Sequence, residues 1–211
     1  MNRIFIALLA VLALLQMPLQ AEVLVGNRLF PEVTVTKFMS GRDENILETI
    51  TAADSVKIRI TSKGRKLLET ESLGTFPARF EANGKPVSAA VVDIDGDRIP
   101  EVAVSAFDEN GSQFFYVYKF DAQKRIYQPM VFTDSINKME RDFAVSDIGQ
   151  PAQDNIILIG KRVVLLGKNY TDEGPKPAQF VYELRGGTFK YIGFEGMKNL
   201  IKYQGSKPIE G

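Results

Sequence analysis

The nine residues Asp93-Ile94-Asp95-Gly96-Asp97-Arg98-Ile99-Pro100-Glu101 concentrate most of the chemistry this sequence offers. Carboxylates stand at positions 1, 3, 5 and 9 of the stretch. Acids this close repel one another unless a cation sits among them. Ca²⁺ answers that need, because it takes about six to eight oxygens at about 2.3–2.6 Å in a flexible geometry. Mg²⁺ suits the stretch less, since it demands a stricter octahedron and keeps its waters. Carboxylates two apart can converge on one point if the chain winds tightly. Gly96 eases such winding because it adopts positive φ at little cost. The carbonyl of Ile99 is free to add an oxygen, and water can complete the shell. The competing reading is a solvated turn whose charge Arg98 balances.

The absent residue types exclude other chemistry. The chain has 211 residues and contains no His, Cys or Trp. That removes a Ser-His-Asp triad, a thiol nucleophile, a His/Cys zinc site and any disulfide. Lys and Arg number 26 against 26 Asp and Glu, so no strong positive field draws nucleic acid. Asp108, Glu109, Asp147 and Asp154 are candidates for a glycosidase acid pair, but no spacing singles out two of them.

An acidic loop needs rigid flanks, and here they read as strands. An EF-hand requires Gly at position 6 and Glu at position 12; this loop has Arg98 and Val104 there. Pro100 disfavours helix at Ile99, and Glu101-Val102-Ala103-Val104 has strand character. Elsewhere the dominant period is two. Val56, Ile58 and Ile60 alternate with Lys57, Arg59 and Thr61. Gln113–Phe120 puts Phe115, Val117 and Lys119 on one face and Phe114, Tyr116, Tyr118 and Phe120 on the other, as in a strand between two sheets. Hairpin turns are expected at Ser62–Arg65, Asp108–Gly111 and Gly186-Gly187. Helical periodicity is confined to Ile136–Phe143, about two turns, and Lys198–Tyr203, about one. The expected class is all-β with many short strands.

The N-terminus has the parts of an export signal. Arg3 precedes the apolar run Ile4–Leu15, and Ala21 is a small residue suited to a cleavage site. The run is shorter than the roughly 20 residues of a membrane-spanning helix. The expected organisation is a signal peptide over 1–21, a β-domain over 22–204 and a frayed Pro/Gly-rich tail over 205–211. The mature chain is then extracytoplasmic, periplasmic or secreted, with no membrane span.

Two further stretches echo the acidic loop. Ala144–Ile159 (AVSDIGQPAQDNIILI) runs like Ala90–Val104 (AVVDIDGDRIPEVAV), with Asp147 54 residues after Asp93. Ser40–Ile50 is a fainter copy, about 50 residues earlier. Repeats of this length suit four-stranded propeller blades.

The pattern Asp93-x-Asp95-Gly96-Asp97-x-x-Pro100-Glu101-Val102, flanked by Val91-Val92 and Ala103-Val104, resembles the calcium loop of FG-GAP/VCBS repeats, the blades of integrin-type β-propellers. The resemblance implies Ca²⁺ held by the side chains of Asp93, Asp95, Asp97 and Glu101 and by the Ile99 backbone. It also implies a propeller-like array of four-stranded antiparallel blades. At roughly 50 residues per blade the chain yields three or four, so closure into a ring is marginal. The sequence departs from the family at Arg98, where glycine is usual, and at Glu101, where aspartate is usual. Asp147-Ile148-Gly149 lacks the second and third acids, so no metal is expected there. These readings together describe a non-enzymatic exported protein. A structural Ca²⁺ would support protein or glycan binding, or assembly through open sheet edges. The alternative is a polysaccharide hydrolase or lyase using carboxylates.

Overall fold

The computed structural model describes residues 31–133, 139–147 and 155–196. The expected signal peptide, the Lys198–Tyr203 turn and the C-terminal tail lie outside them. The described chain is all-β, in three sheets of four, six and eight strands.

The first sheet is an antiparallel meander of β1 (Glu32–Ser40), β2 (Asp43–Ala52), β3 (Ser55–Ser62) and β4 (Arg65–Glu69). Its period-two alternation does what the sequence requires. Val56, Ile58 and Ile60 are fully buried, while Lys57 is exposed and Arg59 lies at the surface between Glu48 and Glu69. The turn into β4 holds Lys63 at φ 49° and Gly64 at φ 76°, the two positive values a tight two-residue hairpin needs. β1 forms the outer edge, with Val33, Val35 and Met39 exposed.

The second sheet contains β5 (Phe76–Pro77), β8 (Ala89–Val92), β9 (Glu101–Phe107), β10 (Gln113–Asp121), β11 (Ile126–Pro129) and β14 (Ala144–Ser146). β8, β9, β10 and β11 run as a second antiparallel meander. The third sheet carries β6 (Phe80–Ala82), β7 (Lys85–Val87), β12 (Phe132–Thr133), β13 (Glu140–Arg141), β15 (Ile156–Ile159), β16 (Arg162–Thr171), β17 (Gly174–Arg185) and β18 (Thr188–Gly196). Its antiparallel meander β15–β18 is extended by parallel pairings of β6 with β15 and β12 with β18. Glu140–Arg141 is thus extended and paired with β12, not part of the expected helix. Residues 139, 142 and 143 are not helical either, and 136–138 fall outside the described residues.

The second sheet is the middle layer. Every residue of β9 is buried, as the largely apolar run Val102–Phe107, interrupted only by Ser105, predicts for a strand covered on both faces. Val102, Val104 and Ala106 pack with Leu47, Ile58 and Ile60 of the first sheet. Ala103 packs with Phe80, Leu158 and Phe189 of the third. β10 divides likewise: Tyr118 joins the first core, and Phe115 and Val117 join the second. Three sheets stacked face to face share two cores. Among the described residues none of the sheets closes on itself.

Ser40–Ile50 forms a tight hairpin in which Ser40 pairs with Asp43, so it builds no wide loop. Asp147 follows β14, which pairs with β10, and accepts the Lys168 N–H at 3.0 Å. The Ser40–Ile50 echo therefore does not reproduce the loop after β8, and 148–154, the loop of the second echo, lie outside the described residues.

Candidate metal site

The acidic loop joins β8 to β9, which pair antiparallel with Val92 opposite Glu101. Its two ends are thus fixed side by side. Ile94 is buried in the core between the second and third sheets and pins the loop from below. Tyr127, buried against the first sheet, donates its hydroxyl toward the Pro100 carbonyl at 3.4 Å at the far end.

Between those anchors the loop winds through its own carboxylates. Asp93 accepts the Gly96 N–H at 2.8 Å and the Arg98 N–H at 3.0 Å. Asp95 accepts the Asp97 N–H at 3.0 Å, and Asp97 accepts the Ile99 N–H at 2.7 Å. Each acid thus turns a following peptide N–H inward, as short Asp side chains do in Asx turns. The winding needs left-handed backbone at Gly96, φ 87°, and at Arg98, φ 70°. Glycine takes that conformation freely, but arginine does so at a cost of roughly 1 kcal/mol. Arginine at position 98 thus has a conformational consequence for the loop.

Glu101 differs from the other acids. Its side chain is 0% exposed. Oε2 accepts the Ile94 N–H at 2.7 Å, while Oε1 is buried without a hydrogen-bond partner. Burial pushes its pKa above the ordinary glutamate value. The Ile94 N–H opposes that rise, and the nearby Asp95 charge adds to it. A buried acceptor left unmatched costs about 1–3 kcal/mol, so the loop holds one oxygen in want of a close donor or cation.

Of the residues expected to bind metal, the structure brings three together directly. One ligand oxygen from each of Asp93, Asp95 and Glu101 lies within 4.8 Å of the other two. Two oxygens on opposite sides of one Ca²⁺ stand about that far apart. All the donors are oxygens and one is an orphaned buried carboxylate, so the set fits a hard divalent cation. Asp97 stands outside that group of three, and Ile99 is half-buried with its N–H committed to Asp97.

A residue the sequence reading did not assign to the site completes it. Lys119 of β10 donates to Asp95 Oδ2 and, at 2.9 Å, to Asp97 Oδ2; its ammonium lies 3.7 Å from the orphaned Glu101 Oε1. Burial opposes its charge, but the bonds to Asp95 and Asp97 win and hold its pKa above the ordinary lysine value. The same lysine keeps Asp97 below the usual carboxylate range. The signal was present in the strand pattern. Lys119 follows Gln113, Phe115 and Val117 on the inward side of β10, one step beyond the Tyr118–Val102 pair and so level with Glu101. A lysine on a core-facing row needs a buried counter-charge.

No family model matches the chain, and no curated protein matches it. Among solved structures, the chain is similar to a Xanthomonas type IV secretion system related protein, with 16% identity over 76% of this chain and 80% of that one and a TM-score of 0.39. It is also similar to a protein of unknown function from Bacteroides fragilis NCTC 9343, with 8% identity over 82% and 96% and a TM-score of 0.20. Likenesses this distant carry no argument about fold or function. Among the described residues no helix is long and apolar enough to cross a membrane.

Proposed function

We propose that the chain is an exported, non-enzymatic β-protein in which Ca²⁺ binds the Asp93–Glu101 loop and stabilises a platform for binding or assembly at the cell envelope. The observation that carries the metal is Glu101: its Oε1 is fully buried without a hydrogen-bond partner, and one of its carboxylate oxygens lies within 4.8 Å of oxygens of Asp93 and Asp95. Protein folds rarely bury such an oxygen without a hydrogen-bond donor or a bound ion to meet it. Asp97 and the Ile99 carbonyl would complete the protein ligands. The ion's role is architectural, because it ties β8 to β9 at the centre of the three-sheet stack. Export rests on the signal-like segment 1–21, and places the protein where millimolar Ca²⁺ can fill a weak site.

A blade-like organisation is part of this reading. The meanders β1–β4, β8–β11 and β15–β18 are each four-stranded and antiparallel, and they stack face to face. That is compatible with three propeller-type blades of the FG-GAP/VCBS kind that do not close a ring. The binding role is supported by the surface beside the stack. Phe114 and Tyr116 are half-buried and line an open hollow of about 380 Å³ with Asp54 and Glu109. Among the described residues β1 pairs with β2 alone, and its outer edge offers nine residues for strand pairing with a protein partner or a second copy. The hydrolase alternative draws less support. Asp108, the remaining acid of that hollow, is spent on the Asn110 and Ser112 N–H groups of its own turn.

The test is a melting series in calcium and in chelator. The reading expects the melting temperature to rise with millimolar Ca²⁺ and fall when the ion is removed. An unchanged melting temperature in both directions refutes it.

A further inference from the structure

We infer that the Lys119 ammonium is a built-in competitor for the metal: it occupies the loop when no ion is bound, a divalent cation must expel it, and Lys119 therefore sets the affinity of the site. The inference rests on the calcium reading above and adds to it a residue that resemblance to calcium loops does not supply.

The geometry is that of one cation standing in for another. Lys119 reaches Asp95 and Asp97 and points toward Glu101 Oε1, so its charge sits against three of the four acids in the loop. Asp95 and Glu101 are also two of the three residues whose oxygens converge on a metal-sized space. Two positive charges cannot share those oxygens without strong repulsion. The ammonium is also an incomplete substitute. At 3.7 Å it is too far from Glu101 Oε1 for a hydrogen bond, and that oxygen stays unsatisfied. Ca²⁺ takes more oxygens than an ammonium has hydrogens, and so can engage Glu101 and Asp93 as well as Asp95.

Departure is open to the lysine. Its side chain is 31% exposed, and its flexible stem can carry the charge into water while the methylenes remain against the strand. Four carboxylates with one ammonium carry a net −3; the same acids with Ca²⁺, the lysine having swung out, carry −2. The exchange relieves like-charge repulsion, but each binding event must first break two charge-assisted hydrogen bonds. A chain with an apolar residue at 119 would lack that opposing step.

The test is calcium titration of the full-length mature protein by calorimetry, in wild type, Lys119→Met and Lys119→Gln. The Met variant keeps the stem without the charge, and the Gln variant keeps a donor in case the first folds poorly. Either variant that folds should bind Ca²⁺ at least tenfold more tightly than wild type. In wild type itself, the lysine ε-methylene NMR signal assigned to Lys119 should move to the position of a solvated lysine as Ca²⁺ saturates. Calcium binding that is equal or weaker in the variants, or a Lys119 signal that does not move, overturns the competitor role and leaves the calcium reading standing. Absence of calcium binding in wild type and both variants overturns that reading and the exchange together.

Discussion

Replacing Glu101 with Gln removes a fully buried negative charge while keeping the side chain's shape and an acceptor for the Ile94 N–H. Without metal, the wild-type charge is a burden: burial has raised its pKa, so folding disfavours the charged form relative to the unfolded chain. The amide mimics the neutral form. Its NH₂ group would take the place of Oε1 and end the repulsion from the Asp95 and Asp97 charges. The lost attraction to Lys119 acts at 3.7 Å, beyond hydrogen-bond range. The expected balance in chelator is a gain of about 1 kcal/mol, the low end of what relieving one unmatched buried acceptor is worth. For a domain of this size that is a rise of about 2–4 °C in melting temperature. Calcium reverses the ranking. With a dissociation constant of about 1 mM, 10 mM Ca²⁺ adds about 1.4 kcal/mol to wild type, while the variant, missing a ligand, gains little. Scanning calorimetry at both conditions reads the two effects. A Glu101→Gln variant that melts lower than wild type in chelator, yet keeps the full calcium shift, would refute the reasoning.

The same group predicts a pH dependence in chelator. Folded and unfolded states both protonate Glu101 well below its ordinary pKa of 4.5; as pH rises past that value the unfolded chain ionises first, so stability falls until the raised folded pKa is passed and is constant above it. Denaturant midpoints across that range should show this loss in wild type and not in Glu101→Gln. Asp95→Ala should abolish the calcium-induced melting shift while leaving the β-type circular dichroism spectrum at low temperature; a retained shift would remove Asp95 from the ligands. Arg98→Gly should raise metal-free stability by about 0.5–1 kcal/mol by relieving the left-handed backbone at φ 70°, read as a higher urea midpoint; a lower midpoint contradicts the assigned strain. Gly74→Ala should cost about 1–3 kcal/mol, because an added Cβ would stand 2.6 Å from the Phe107 carbonyl oxygen and 2.7 Å from Ala106 Cβ; an unchanged urea midpoint would contradict that close approach.

Features that depend on near neighbours in the chain were legible in the sequence. The Lys63-Gly64 and Gly186-Gly187 turns adopt positive φ where hairpins require it. The alternation of β3 and the two-faced pattern of β10 appear as buried rows on the expected sides. The winding of the acidic loop follows from its spacing, since each short carboxylate caps an N–H two to five residues on. Features set by distant partners were not legible. β12 and β13 are two residues each and exist only because the third sheet reaches them, so no periodicity could announce them, and Ile136–Phe143 read as helix instead. The echo at Asp147 shares letters with Asp93, but β14 pairs with β10, and its acid is committed to Lys168. Lys119 lies between these cases. Its inward position was readable from parity, but its partners lie 18 to 24 residues away and become neighbours only when β9 and β10 pair.

The central claim is that a divalent ion sits among the oxygens of the Asp93–Glu101 loop. Anomalous diffraction from crystals grown in millimolar Ca²⁺ tests it most directly. A single strong peak is expected at about 2.3–2.6 Å from oxygens of Asp93, Asp95, Asp97, Glu101 and the Ile99 carbonyl, with the Lys119 ammonium turned out to solvent. A map without that peak, with Lys119 still bonded to Asp95 and Asp97, would contradict it.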